Sequence, residues 1–188
     1  MNLANKLTII RVILIPIFVA ILLIPTIPYH NYIALGIFII ASLTDFFDGQ
    51  IARRRNLVTN FGKFADPLAD KLLVCSAMIC MCTPLVGADG KTPFNVLIPA
   101  WVVIIIVARE IFISGFRIIA AEQGLVLAAG WSGKFKTAFS MFMIIFVLLD
   151  INHPVFIYIT WALIWISLAL TVISMIEYVA KNKEVLIQ

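Results

Sequence analysis

The feature that most constrains this chain is a succession of long apolar runs separated by short charged or Pro- and Gly-bearing breaks. A hydrocarbon core roughly 30 Å thick takes about 20 helical residues to cross, and the runs have about that length. They predict helices over 7–24, 31–54, 61–86, 95–121, 131–150 and 154–180. Of the 188 residues, 63% are hydrophobic, against roughly half in soluble domains. Mean hydropathy is +1.08, and a water-soluble fold of this length has no interior large enough to hide so much apolar surface. The expected class is all-α: a polytopic membrane protein with six transmembrane helices, forming a single domain over 1–188.

Charge is distributed unevenly about these runs. The breaks at 25–30, 86–93 and 150–153 hold Lys91 and two histidines, whereas Lys6, Arg53, Arg54, Arg55, Lys63, Arg109, Arg117, Lys134, Lys136, Lys181 and Lys183 fall toward the other side. The positive-inside rule then puts both termini and the charged loops in the cytoplasm, and an even number of spans agrees. Lys6 and Arg11 ahead of an apolar stretch resemble a signal peptide, but no small-residue cleavage site follows, so the first run is expected to stay as a helix. Cys75, Cys80 and Cys82 lie in one apolar run without metal-ligand partners and read as small buried hydrophobes. The net charge of +4 comes from residues beside the spans, with no interleaved basic and aromatic patch. Nucleic acid is therefore not an expected partner; anionic membrane lipid and phosphate-bearing substrates are. No internal repeat or extramembrane domain is visible, which leaves the chemistry to the helices and their cytoplasmic ends.

The segment from Asp45 to Asp70 reads DFFDGQIARRRNLVTNFGKFADPLAD. Each ionised carboxylate at membrane depth costs at least about 2.5–3.5 kcal/mol on insertion scales, so four of them demand compensation. At about 100° per residue, Asp45, Asp48, Gly49 and Ala52 share one helical face, and Asp66 and Asp70 share another on the next helix. Two facing carboxylate pairs make a metal site, and four charges balance two divalent cations. Oxygen-only ligands favour hard ions such as Mg²⁺, Mn²⁺ or Ca²⁺. Such a pair of ions can clamp a diphosphate. The small Gly49 and Ala52 let a nucleotide come close to the helix, and Arg53 can meet a phosphate bidentately. The plainer explanation is ion pairing with Arg53, Arg54, Arg55, Lys63 and Lys71 at the interface. For Asp66, followed by Pro67, it is an N-cap.

Asp45-x-x-Asp48-Gly49-x-x-Ala52-Arg53, eight residues, Gly62, three residues, Asp66, three residues, Asp70 is identical to the motif of the CDP-alcohol phosphotransferases, and the chain resembles that family. The motif covers about a seventh of the chain, and the six-helix plan extends the likeness to nearly all of it. The resemblance implies a homodimer of six-helix protomers, each with a polar cavity open to the cytoplasm. It implies two divalent metal ions, Mg²⁺ or Mn²⁺, held by Asp45, Asp48, Asp66 and Asp70, with Asp70 also the general base. It further implies attack of an acceptor hydroxyl on the β-phosphorus of a CDP-linked donor, here CDP-diacylglycerol, with CMP leaving. Asn5-x-Leu7-Thr8-x-x-Arg11, Arg109-Glu110 with Gly115-x-Arg117, and Gly133-Lys134-x-Lys136-Thr137 look most like the bacterial branch whose acceptor is glycerol 3-phosphate.

An acceptor that already carries a phosphate needs cations apart from the metals. Arg109, Arg117, Lys134 and Lys136 are the candidates; the bland alternative for Arg117 and the lysines is anchoring at lipid headgroups. Arg109 follows the apolar run 99–108, which a solvated face explains poorly, and Arg117 lies two turns on, within reach of the same cavity. Lys134 and Lys136 point about 200° apart on a regular helix, so both meet one ligand only if Gly130 and Gly133 make the chain irregular. Asn5, Thr8 and Arg11 span an arc of about 120° on the first helix. The first two join Asp48, Gly49, Ala52, Arg53 and Gly62 as expected CDP-binding residues, with N-terminal capping as the competing explanation. Glu110 and Glu177 are expected to pair with nearby cations, His30 and His153 have no expected role, and Tyr158, Trp161 and Trp165 read as interface or packing aromatics.

Two rival readings remain at this point. One is a cation transporter, since intramembrane aspartates also mark ion pathways, but no pair of interrupted, repeated halves is seen. The other is a family relative using inositol phosphate, serine or phosphatidylglycerol as acceptor.

Overall fold

The structure is a computed structural model that describes the backbone of residues 3–24, 26–55, 60–83, 94–122 and 130–182. It describes their side chains except at 3–8, 45–55, 60–67, 70, 121 and 122. These residues form six helices, with no strand among them: α1 Leu3–Leu23, α2 His30–Arg55, α3 Asn60–Cys82, α4 Ala100–Glu122, α5 Trp131–Leu149 and α6 Pro154–Lys181.

Every helix coincides with a predicted run, and the largest difference, at the start of α4, has a local cause. The third helix stops at Cys82, short of the expected 86, and the fourth starts at Ala100, later than the expected 95. The Pro99 ring disfavours helical backbone at Ile98. The Pro99 carbonyl accepts from Val102 N (2.9 Å) and Val103 N (3.3 Å), so α4 can begin only after it. Residues 94–99 are non-helical instead, and Ile98 N donates to Met81 O (3.2 Å), satisfying one carbonyl left over in the last turn of α3.

Helix α1 packs against α2 and α3, α4 against α3 and α6, and α5 against α6, α2 and α3. Phe18, Phe38, Met78, Ile106, Met143 and Ile144 fill the shared core with no appreciable exposure. Ala34, Ala41 and Ala77, equally buried, allow close helix approach. The inner face of α6 is different. Thr160, Ile164, Ser167, Thr171, Ser174 and Tyr178 are buried at alternating steps of four and three residues. Thr160, Thr171 and Ser174 donate back to Phe156 O, Ser167 O and Thr171 O, which keeps these hydroxyls satisfied in an apolar setting.

The outer faces are as apolar as the inner ones. Ile104, Ile111 and Ile118, seven residues apart on α4, are each more than 60% exposed, and Ile13, Ile173 and Ile176 are exposed on α1 and α6. So much accessible apolar surface suits hydrocarbon and not water. Among the described residues, α5 and α6 are long and apolar enough to cross a membrane. Trp165 packs on Trp101 with ring centroids 5.8 Å apart, while Tyr158 stays exposed. Cys80 is buried and Cys75 and Cys82 are partly so.

The turn between α5 and α6 is tight. Asp150 closes α5 with φ 46°, a left-handed backbone that Asp tolerates. His153, for which no role was expected, caps α6 by accepting from Val155 N at 3.3 Å, with Pro154 at the first helical position. Asn95 reaches this turn from the α3–α4 connection: its N donates to Asp150 Oδ1 (2.6 Å), and its Nδ2 donates to Asp150 Oδ1 (2.9 Å) and O (3.1 Å). Burial pushes the Asp150 carboxyl above its ordinary range, with the bonds from Asn95 opposing.

Candidate functional site

Asp45 and Asp48 stand on α2, and Asp66 and Asp70 on α3. Their side chains lie outside the described residues, as do those of Asn5, Thr8, Ala52 and Arg53 and the surroundings of Gly49 and Gly62; the backbone register of the helices does not. On α2 the buried positions Phe38 and Ala41 recur seven residues later at Asp45 and Asp48, and the next repeat is Ala52. On α3 Asp66 and Asp70 precede the buried Leu73 and Ala77 by seven residues. Seven residues are nearly two turns, so both aspartate pairs continue the faces that the bundle buries. Two plainer explanations lose ground. Helix α3 already begins at Asn60, so Asp66 is not its N-cap, and α1 begins at Leu3, which puts Asn5 and Thr8 inside the helix and not at its cap.

A second polar group is built by α4, α5 and α6. The buried face of α4 runs Val102, Ile106, Arg109, Ile113, Phe116, Ala120, so helical register alone carries the Arg109 guanidinium into the interior. Its Nη1 donates to Glu110 Oε1 (2.9 Å) and its Nη2 to Ser174 Oγ on α6 (3.0 Å), while Nε has no partner among the described residues. Lys136, on the buried face of α5, donates to the same Glu110 Oε1 at 2.6 Å. The side chains of Arg109, Glu110 and Lys136 are 10%, 14% and 3% exposed. Two buried cations thus share one carboxylate oxygen. Beside them α5 passes Gly133, where a Cβ would lie 3.9 Å from Arg109 Nη2.

The four expected acceptor cations do not gather at one place. Helix α5 is regular from Trp131 onward, so Lys134 and Lys136 keep their opposed directions and the expected irregularity at Gly130 and Gly133 is absent. Lys134 is exposed, with Nζ 4.8 Å from the centre of the Trp131 ring. Arg117 is also exposed, its guanidinium 5.7 Å from the Tyr178 ring centre and its Nε donating to Tyr178 Oη at 3.4 Å. Arg109 and Lys136 meet through Glu110; Arg117 and Lys134 stand apart from them.

Sequence reading missed Ser174, the Arg109 partner on α6, and Ser114, which accepts from Lys71 and links α3 to α4. The recurrence of hydroxyls at 160, 167, 171 and 174 in an otherwise apolar helix was the available signal for Ser174. Glu110 has the expected cationic partners, and Glu177 pairs with Lys181 at 2.5 Å. Arg11, one turn before Ile15 on the inner face of α1, is almost fully buried. Among the described residues no cluster of His, Cys, Asp and Glu could hold a metal. The all-oxygen donor set that four aspartates offer fits a hard divalent cation.

An all-helical bundle whose second and third helices carry the paired aspartates points to a class of membrane enzyme, and comparison of the sequence with known families agrees. The family model described as CDP-alcohol phosphatidyltransferase matches residues 1–173, and the chain belongs to that family. It is 44% identical to the CDP-diacylglycerol–glycerol-3-phosphate 3-phosphatidyltransferase of Bacillus subtilis (strain 168), covering 98% of this chain and 97% of that protein. The proteins of the same description from Escherichia coli (strain K12) and Shigella flexneri are each 39% identical, over 95% of this chain and 93% of theirs.

Proposed function

We propose that this chain transfers the phosphatidyl group of CDP-diacylglycerol to a hydroxyl of glycerol 3-phosphate, giving phosphatidylglycerophosphate and CMP. The observation that carries the reading is the register of α2 and α3, which continues two buried faces into the four aspartates of the family motif. Near-full-length relatives at 44% and 39% identity, named for this donor and acceptor, support it.

Asp45, Asp48, Asp66 and Asp70 hold two divalent ions, Mg²⁺ or Mn²⁺. When bound, these ions supply neutralisation of the diphosphate and of the departing phosphate. Asp70 accepts the proton of the acceptor hydroxyl as its oxygen attacks the β-phosphorus; the bond from that phosphorus to the CMP oxygen breaks, and CMP leaves. Asn5, Thr8, Gly49, Ala52, Arg53 and Gly62 form the CDP site with Asp48. Arg109 and Lys136 hold the acceptor phosphate; Arg117 and Lys134, expected to join them, stand apart on the Tyr178 and Trp131 rings. All six helices cross the inner membrane around a polar cavity open to the cytoplasm, the termini lie on that side, and two copies form a homodimer.

The test supplies purified protein with radiolabelled CDP-diacylglycerol and a panel of acceptors. Phosphatidylglycerophosphate should form with glycerol 3-phosphate and no product with inositol phosphate, serine or phosphatidylglycerol; turnover with another acceptor alone would replace the assignment.

A further inference from the structure

Glu110 is a buried carboxylate that the proposed chemistry does not use. It lies at the one place where α4 and α5 each present an interior cation, and one of its oxygens takes hydrogen bonds from both, Arg109 Nη1 at 2.9 Å and Lys136 Nζ at 2.6 Å. Breaking a buried ion pair by removing one partner leaves an uncompensated charge, so cations buried this deeply need a counter-ion whenever no ligand is bound. Glu110 supplies it, but only one negative charge against two positive ones, and Arg109 Nε still lacks an acceptor among the described residues.

A phosphate monoester near neutral pH carries about two negative charges. If it joined the cluster with Glu110 still in place, three negative charges would crowd two cations where water screens them poorly. If Glu110 swings away, the charges balance, and the freed Nη1, Lys136 Nζ and the unused Nε give donors for the phosphate oxygens. We propose that Glu110 is a placeholder counter-ion, which holds Arg109 and Lys136 together in the resting protein and is displaced by the phosphate of the acceptor. The proposal rests on reading Arg109 and Lys136 as the acceptor-phosphate residues. Glu110 then acts as a positioning residue that sets the charge an acceptor must bring: a neutral alcohol cannot displace it, and a dianion can.

The variants Glu110→Gln and Glu110→Asp in the full chain test this through two readings. One is the KM for glycerol 3-phosphate at saturating CDP-diacylglycerol, with inhibition by inorganic phosphate in the same assay. The other is thermal stabilisation of the purified protein by inorganic phosphate alone. Glu110→Gln should lower the acceptor KM roughly fivefold or more, strengthen phosphate inhibition in parallel and enlarge the stabilisation, with kcat unchanged or reduced. Glu110→Asp, with the charge kept on a shorter arm, should fall between, and it decides the matter if Glu110→Gln does not fold. An acceptor KM that is unchanged or raised, with no gain in response to phosphate, would overturn the proposal and leave Glu110 as a strap between α4 and α5. If the wild-type protein transfers nothing to glycerol 3-phosphate while phosphate still stabilises Glu110→Gln more than wild type, the placeholder stands and the proposed acceptor falls.

Discussion

The two ends of the helical bundle use similar polar residues and leave them in different states. At one end Asn95 and Asp150 close on each other: three hydrogen bonds join the α3–α4 connection to the α5–α6 turn, and no cation takes part in them. At the other end Arg109 and Lys136 share Glu110, one cation in excess, with a guanidinium nitrogen unused among the described residues. The aspartates of α2 and α3 stand toward this end as well, one face repeat beyond the apolar core. A polar contact that satisfies all its members holds helices in place; one that keeps surplus charge in a buried setting is shaped for something that arrives from outside.

Substitutions at the two ends should therefore separate activity from stability. The largest effect belongs to Asp70→Asn, which removes the proposed proton acceptor and should lower kcat by about 10²- to 10⁴-fold with membrane insertion intact; product formation per inserted protein measures it. Arg109→Met comes next. It leaves Glu110 and Lys136 as a neutral pair, so the KM for glycerol 3-phosphate should rise about 30-fold with little change in kcat, read from initial rates across acceptor concentrations.

At the closed end the pattern should reverse. Asn95→Ala deletes the two bonds from Nδ2 and should cost about 1 kcal/mol of stability in a thermal melt while both KM values hold. An altered acceptor KM there would erase the distinction between the ends. The smallest effect concerns pH. The Asp150 carboxyl titrates above its unfolded value, so the folded state binds the extra proton, and stability is lost as pH rises through the folded-state pKa. Asp150→Asn should flatten that part of the stability curve, as melts across mildly acidic pH would show.

Much of this was legible in the sequence because long apolar helices announce themselves by run length, and Pro154 falls where the sixth begins; Pro99, which sets the start of α4, was passed over when the fourth run was read from 95. The shared register of the aspartates is legible for the same reason, since it is arithmetic on residue numbers, whereas their side chains lie outside the described residues. The meeting of Arg109 with Lys136 was only half legible: that both are cations in apolar helices follows from position, but their joint partner Glu110 depends on how α4 and α5 rotate against each other, which no local pattern encodes. Arg117 shows the converse error. Two turns along the helix suggested the same cavity, yet eight residues rotate the side chain by about 80°, enough to carry it to the Tyr178 ring.

The most direct test of the carboxylate site is release of CMP from CDP-diacylglycerol by the purified protein, followed with glycerol 3-phosphate present, after chelation, and after Mg²⁺ or Mn²⁺ is restored. Release should require the acceptor, stop with the chelator and return with either ion. Undiminished CMP release in the presence of chelator would contradict a metal-bearing role for Asp45, Asp48, Asp66 and Asp70.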